Sequence, residues 1–267
     1  MGYQQTTFYT GAGHDEVHSR DTRDKIFAKQ TDVIHNPRNA SVTPVSASEV
    51  GATGFRAAGS AQFVERVEDH LDQLRSSPVG QALLSAMDEH SLKNNSIVML
   101  LEAGFEGGAY VPHRKYWTQG LSEHDPYPAE AGFINGGIAG MPADDAEIAF
   151  NPTYWDSDFS SSPLTVLFHE IVHAYNGATG TMIAGEQAVL KPDGQPLTIN
   201  GKAVTVKNHE YQTVGLRNAG TPFDLDNDPL TPPTTINPWP FTENAFRQEM
   251  GVTLRDRYVF GEPSRIA

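Results

Sequence analysis

The pentapeptide His169-Glu170-Ile171-Val172-His173 constrains this chain more than any other part of its sequence. On an α-helix, residues four apart lie one turn above the other on the same face, so both imidazoles can reach one zinc ion. Glu170 then lies beside the metal, where its carboxylate can take a proton from zinc-bound water. The alternative is a pair of core histidines that hydrogen bonds alone satisfy. The motif favours the first interpretation, a site that hydrolyses peptide bonds.

The flanking residues predict the helix that this motif requires. Ser162 is a favourable N-cap, and Pro163 fits the first helical position, where its missing N–H donor costs nothing. We expect the helix to end at Asn176, with Gly177 as its C-terminal stop. Apolar residues recur at helical spacing and leave few positions for solvent, which predicts a buried central helix. They are Leu164, Leu167, Phe168, Ile171, Val172 and Tyr175.

Composition narrows both the ligands and the partners of such a site. The 267-residue chain has no cysteine, so histidine and carboxylate side chains must hold the metal. Its 33 acidic and 19 basic residues give a formal charge of −14, which disfavours binding to nucleic acid. No apolar stretch approaches the roughly 18 to 20 residues of a membrane helix, so we expect no membrane insertion. The first residues also lack the pattern of a classical secretory signal.

The sequence divides into a leader and one domain. Residues 1–50 are rich in Thr, Ser, Asp, Asn and His and contain few large apolar side chains. This composition predicts a flexible, largely extended leader that is suited to carry a secretion signal. Residues 51–267 are numerous enough to bury a sizeable core as one domain.

Periodicity within the domain predicts an α+β fold. An apolar stripe that starts at Ala61 indicates a first helix, and a second is expected over residues 78–89. Residues 96–101 and 147–150 are expected to be strands. Asn200-Gly201 is the preferred pair for a type I′ turn and predicts a β-hairpin around it. The expected architecture is a small mixed sheet packed on the motif helix, with further helices toward the C-terminus.

A third metal ligand must come from beyond the motif. A catalytic zinc usually takes three protein ligands and leaves the fourth position for water. We expect Glu210 in this role, because the helical-looking segment that it begins can carry its carboxylate against the motif helix. The neighbouring His209 is the main rival. Glu186 is a weaker one, because it lies in a loop rich in glycine and threonine.

Candidate catalytic side chains also occur near the C-terminus. Thr242 is expected to cap a helix, and Arg255 and Tyr258 are expected three apart on one helical face. A guanidinium and a phenol there can donate hydrogen bonds to the oxyanion that forms during peptide hydrolysis. The alternative is a surface salt bridge and a core tyrosine. Glu243 is a candidate for the carboxylate that orients a ligand histidine through its free ring nitrogen.

Two further histidines lie in a region rich in glycine and aromatic residues, 104–142, which predicts long surface loops. Loops over a catalytic helix often form the substrate cleft, so His113 and His124 are candidates for substrate contact. The interpretation that we favour is a surface histidine without a role in either case.

Three segments resemble the NleD-type effector zinc metallopeptidases. They are His169-Glu170-Ile171-Val172-His173-Ala174-Tyr175, Glu210 with Thr213-Val214-Gly215-Leu216, and Thr242-Glu243-Asn244 with the later Arg247 and Gly251. The resemblance covers about residues 52–260. It implies a compact zincin-like fold in which His169 and His173 bind zinc, Glu170 is the general base and Glu210 is the third ligand. The spacing of Arg255 and Tyr258 is similar to that of the transition-state pair in clostridial neurotoxin light chains.

The resemblance also implies a cellular role. Bacteria inject such proteins into host cells through type III secretion, where they cleave host proteins in the cytoplasm, MAP kinases among them. The expected partners are a host protein substrate and, during export, a secretion chaperone. Two alternatives stay open from the sequence, the peptidase domain of a polymorphic toxin and a non-catalytic, zinc-stabilised binding module.

Overall fold

The computed structural model describes residues 5–112, 131–143, 146–156, 161–191 and 193–258. His113 and His124, for which substrate contact was considered, lie outside these described residues. No helix within them combines the length and apolar character that crossing a membrane requires.

Five short strands wind in parallel at the N-terminus. They are β1 (Thr7–Tyr9), β2 (Glu16–His18), β3 (Lys25–Ala28), β4 (Val33–His35) and β5 (Ser41–Pro44). β3 pairs in parallel with β1 and β5, while β2 pairs in parallel with β4. The chain therefore alternates between two small sheets, and we call this part the N-terminal winding.

The N-terminal winding differs from the flexible leader that its composition predicted. Val17, Ile26, Ala28 and Ala40 form a small apolar cluster of its own. These four side chains are small or medium in size and raise the apolar content of the segment little, so composition alone did not predict the cluster. A role in secretion for this part of the chain stays a prediction.

A mixed four-stranded sheet forms the centre of the remaining chain. Its strands are β6 (Phe55–Ala58), β7 (Val98–Glu102), β8 (Gly108–Val111) and β9 (Glu147–Phe150). In the order β6-β7-β9-β8, the first three strands run parallel and β8 runs antiparallel at one edge. Both predicted strands are present, with the first displaced by one or two residues. Leu100 and Ile148 are fully buried, as inward-facing residues of a covered sheet should be.

Two helices connect β6 to β7. In α1 (Ala61–Arg75) the apolar stripe is buried as predicted, and the Ser60 side chain accepts a hydrogen bond from the first turn. The following α2 (Pro78–Asn94) extends beyond the predicted end at residue 89, because it stops only where Asn95 adopts a left-handed conformation with φ 50°. α2 packs against both α1 and the motif helix, which joins the three into one core.

The motif helix, α3 (Pro163–Thr179), begins where the sequence predicts and ends later. The stop assigned to Gly177 was wrong, since Gly180 ends the helix with φ 71°. Gly177 has a different role, because a Cβ atom at this position would lie 2.0 Å from the hydroxyl oxygen of Tyr110. The glycine thus lets the edge strand β8, which carries Tyr110, pack closely against α3.

The chain after α3 forms four short strands and two helices among the described residues. They are β10 (Glu186–Ala188), β11 (Thr198–Ile199), β12 (Lys202–Ala203), β13 (Thr205–Lys207), α4 (Asn208–Val214) and α5 (Glu243–Met250). β11 and β12 form the predicted hairpin, and Asn200 and Gly201 both have the positive φ of a type I′ turn, 51° and 76°. α4 and α5 each pack against α3.

The expectation of a C-terminal helix that carries Arg255 and Tyr258 was wrong. α5 ends at Gly251, which has φ 72°, and residues 251–258 continue without regular secondary structure. Arg255 and Tyr258 therefore do not share a helical face. The mixed composition of helices and small sheets agrees with the predicted class, and α4 and α5 are the helices that follow the motif helix among the described residues.

Glu249 on α5 connects the N-terminal winding to the rest of the protein. Its carboxylate accepts hydrogen bonds from the Tyr9 hydroxyl (2.9 Å), the Val79 backbone N–H (2.9 Å) and the Ser77 hydroxyl. Burial and the adjacent Glu249 raise the pKa of Tyr9, so the phenol stays protonated and donates. The Tyr9 ring also stacks on Phe246 with the ring centroids 6.1 Å apart.

We predict that Glu249→Ala lowers the free energy of unfolding by about 1–3 kcal/mol, because three donors lose a charged acceptor. The matched control is Gln248→Ala, since the neighbouring side chain on the same helix is exposed. Urea denaturation of both variants measures the difference. Equal stability of the two would contradict the tethering role of Glu249.

Candidate metal centre

Three helices meet at the motif. α3 carries His169 and His173 on its buried face, with 8% and 3% of their surfaces exposed. α4 carries Glu210, and a polar network holds α4 against α3. Gln212 on α4 donates a hydrogen bond to Asn237 (2.8 Å), and Asn237 donates to the side chain of Asn176 on α3 (2.9 Å). Fully buried amides leave few alternative geometries for such bonds, so this network fixes how α4 lies on α3.

The atoms that can bind a metal form a small triangle. The Nε2 atoms of His169 and His173 are 3.1 Å apart, and Oε2 of Glu210 lies 3.4 Å from the first and 2.9 Å from the second. Tetrahedral zinc with bonds of about 2.0–2.1 Å requires its ligand atoms to be about 3.3 Å apart. The three side chains thus form a group that can hold a metal ion with little rearrangement.

Electrostatics at this group also favour a cation. Burial opposes protonation of His169, but its hydrogen bonds to Glu210 and Glu243 raise its pKa to about 10. Burial raises the pKa of Glu210, but the two imidazoles outweigh this effect and hold the pKa well below its usual value. Both shifts have the same cause, the proximity of carboxylates to the two imidazoles, which also attracts a cation to this group.

A carboxylate fixes the ring of His169 from behind. Oε2 of Glu243, on α5, lies 2.9 Å from Nδ1 of His169, so this nitrogen donates and Nε2 faces Glu210. Glu243 is itself almost completely buried, and Arg247 (2.6 Å) and Arg255 (3.0 Å) donate to its two oxygens. Burial raises the pKa of Glu243, but the hydrogen bond to His169 and the charges of Arg255 and Arg247 together lower it to about 2. The predicted orienting contact is therefore present.

A threonine orients the second histidine. The hydroxyl of Thr213 lies 3.1 Å from Nδ1 of His173 and can accept its proton, which leaves Nε2 free to face Glu210. No role was predicted for Thr213 from the sequence. A signal was present, because Thr213 lies three residues after Glu210 and therefore on the same face of α4.

Glu170 lies on α3, like the two motif histidines, and its side chain faces the edge strand β8. Its side chain packs so closely on Gly108 of β8 that a Cβ atom there would lie 2.7 Å from its Cγ. Burial raises the pKa of Glu170, an effect that the neighbouring imidazoles partly offset. The carboxylate lines two cavities, of about 240 Å³ and 190 Å³, that adjoin the metal-binding group.

The two C-terminal candidates, Tyr258 and Arg255, contact different carboxylates at the candidate metal centre. The Tyr258 hydroxyl donates to Oε2 of Glu210 (2.8 Å), and burial together with that carboxylate raises its pKa well above the usual value. Arg255 donates to Glu243 (3.0 Å) and to the backbone oxygen of Tyr258 (2.6 Å). Arg255 thus connects the segment that carries the tyrosine to the carboxylate behind His169.

The rivals of Glu210 lie farther from the triangle. Nδ1 of His209 is buried and lies 3.7 Å from Oε1 of Glu210, while its ring packs edge-on against His173 at 5.2 Å. Glu186 is exposed on β10 and accepts a hydrogen bond from Thr205 (3.0 Å). Neither belongs to a group of potential ligands with the two motif histidines.

A third cavity, of about 450 Å³, continues the cleft past His209. Its lining is Phe133, Ile134, Asn135, Ala184, Gly185, Glu186, Lys207 and His209. The cavity of about 190 Å³ shares His209 with this one and shares Glu170 and Tyr258 with the cavity of about 240 Å³, so the three adjoin one another along the metal-binding group.

The site combines two buried histidines on one helix, a carboxylate from a second helix and adjoining cavities. Metallopeptidases carry sites of this kind. The chain belongs to the M91 peptidase family, whose model is described as an effector protein and matches residues 51–258. This membership confirms the resemblance to NleD-type effector peptidases and supports peptidase activity. No curated protein matches the chain. The matched region begins after the N-terminal winding.

We predict that Thr213→Val weakens zinc binding by about 10–100-fold, because the isosteric side chain leaves Nδ1 of His173 without its acceptor. Thr213→Ser keeps the hydroxyl and is expected to bind zinc like the wild type. Competition against a chelator of known affinity measures both. Unchanged affinity in the valine variant would remove Thr213 from the metal centre.

Proposed function

We propose that this protein is a zinc-dependent endopeptidase that is secreted as a bacterial effector and cleaves host proteins. The observation that carries the proposal is the triangle of His169, His173 and Glu210 beside the buried carboxylate of Glu170. Two imidazoles and one carboxylate leave a fourth zinc position for water, which is the usual ligand set of catalytic rather than structural sites. The absence of cysteine agrees with this set.

A bound zinc ion would supply an acidified water and polarise the scissile carbonyl. The residues of this chain then move the proton. Glu170 accepts it from the water that attacks the carbonyl carbon and returns it to the nitrogen of the leaving amine. The contact with Gly108 and the buried environment hold the carboxylate in place and favour its protonated form between the two transfers.

Tyr258 is the side chain that we assign to the oxyanion. Its hydroxyl lies 2.8 Å from Glu210, and a small rotation directs it toward a carbonyl oxygen in the adjoining cavity. Arg255 acts mainly as a positioning residue, because it donates to Glu243 and to the backbone of Tyr258. This assignment refines the prediction that both residues donate directly to the oxyanion.

The cleft supports a protein substrate. β8 is the last strand of the sheet among the described residues and borders Glu170 at Gly108, so an extended segment of substrate can lie along it. The cavity past His209 can accept an apolar side chain of that segment, since Phe133 and Ile134 line it. Secretion through the type III route and cleavage of MAP kinases come from the family resemblance alone.

We predict that Glu170→Gln lowers cleavage by at least about 100-fold while the zinc content stays at that of the wild type, because the amide cannot accept the proton. Mapping of new protein N-termini in host-cell lysate compares the two proteins, with zinc analysis in parallel. The same set of new N-termini with the metal-loaded variant would contradict the mechanism.

We also predict that Gly108→Ala lowers cleavage about 10–100-fold, since the added Cβ displaces the carboxylate of Glu170. Gly104→Ala is the matched control, because nothing lies within 4 Å of a Cβ atom at that position. Zinc content and melting temperature of both variants are expected to match the wild type. Full activity of the Gly108 variant would show that this contact does not position the base.

A further inference from the structure

A second group of potential metal ligands lies in the N-terminal winding. It consists of Glu16, His18 and His35, whose ligand atoms all lie within 4.8 Å of one another. Oε1 of Glu16 is 3.0 Å from Nε2 of His18 and 2.8 Å from Nε2 of His35. The two imidazole rings are parallel within 4°, with their centroids 4.2 Å apart.

The strand register creates this group. β2 and β4 are parallel neighbours in which His18 is paired with His35. The inward position between Glu16 and His18 is Val17, which is buried, so the residues on both sides of it face solvent. Alternation along one strand and pairing between two strands thus put three ligand-type side chains on one small surface.

The chemistry of the group favours a transition-metal ion. Imidazole and carboxylate together suit zinc, copper and nickel, whereas calcium and magnesium prefer oxygen ligands alone. The two nitrogen–oxygen distances are within about half an ångström of the separation that tetrahedral zinc sets. Both imidazoles direct Nε2 to the same carboxylate oxygen, so the ring orientation that a shared ion needs is already present.

We propose that Glu16, His18 and His35 form a second divalent-metal site, distinct from the one on α3. The ion bridges β2 and β4, a ladder of only three residue pairs, and stabilises the N-terminal winding. The site lies outside residues 51–258, which the family model matches, and shares no residue with the group on α3. Its side chains are 48–60% exposed, which leaves further positions to water.

Zinc stoichiometry of the untagged 267-residue chain tests the proposal. Equilibrium dialysis against zinc is expected to give two ions for the wild type and one for the double variant His18→Ala, His35→Ala. Because both imidazoles are exposed, this variant keeps the core of the winding. The control His14→Ala removes an exposed histidine of the same segment and is expected to keep two ions.

A second double variant, His169→Ala with His173→Ala, separates this proposal from the proposed function. It is expected to retain one ion, which the further loss of His18 and His35 then removes. A wild type with one ion that only the His18 and His35 substitutions abolish would support the new site and contradict the zinc peptidase. Equal zinc binding by the wild type and the His18, His35 variant would overturn the second site, whatever the motif variants do.

Discussion

The hydrogen bond between His169 and Glu243 is the interaction on which the candidate centre depends. It places the carboxylate of Glu243 behind His169 on the central helix, and the negative charge of a buried carboxylate requires positive charge nearby. Arg247 and Arg255 supply it, and Arg255 in turn holds the backbone of Tyr258. One ion-paired network thus orders a ligand, the helix α5 and the C-terminal segment together.

Function follows from how the helices converge. α3 supplies two imidazoles, α4 supplies Glu210, and α5 supplies the orienting carboxylate, so no single helix contains the site. The edge strand β8 approaches α3 closely because Gly108 and Gly177 carry no side chain at the two points of contact. The same close approach holds Glu170 beside the cleft. Packing of the side chains of Glu170 and Tyr110 against glycine backbone is therefore part of the proposed catalytic geometry.

The sequence predicted those parts that depend on local periodicity. The start of α3 follows from Ser162 and Pro163, and the hairpin follows from Asn200-Gly201. The N-terminal winding was missed because parallel pairing of short, distant strands leaves no local pattern. The end of α3 was misplaced because the role of Gly177 depends on Tyr110, a tertiary contact that the sequence alone does not reveal.

Anomalous diffraction at the zinc absorption edge, from crystals grown with zinc, tests directly whether this centre binds the metal. We expect a peak of anomalous density within bonding distance of Nε2 of His169, Nε2 of His173 and a carboxylate oxygen of Glu210. A difference map without a peak there, in crystals whose protein is fully loaded with zinc, would contradict this expectation.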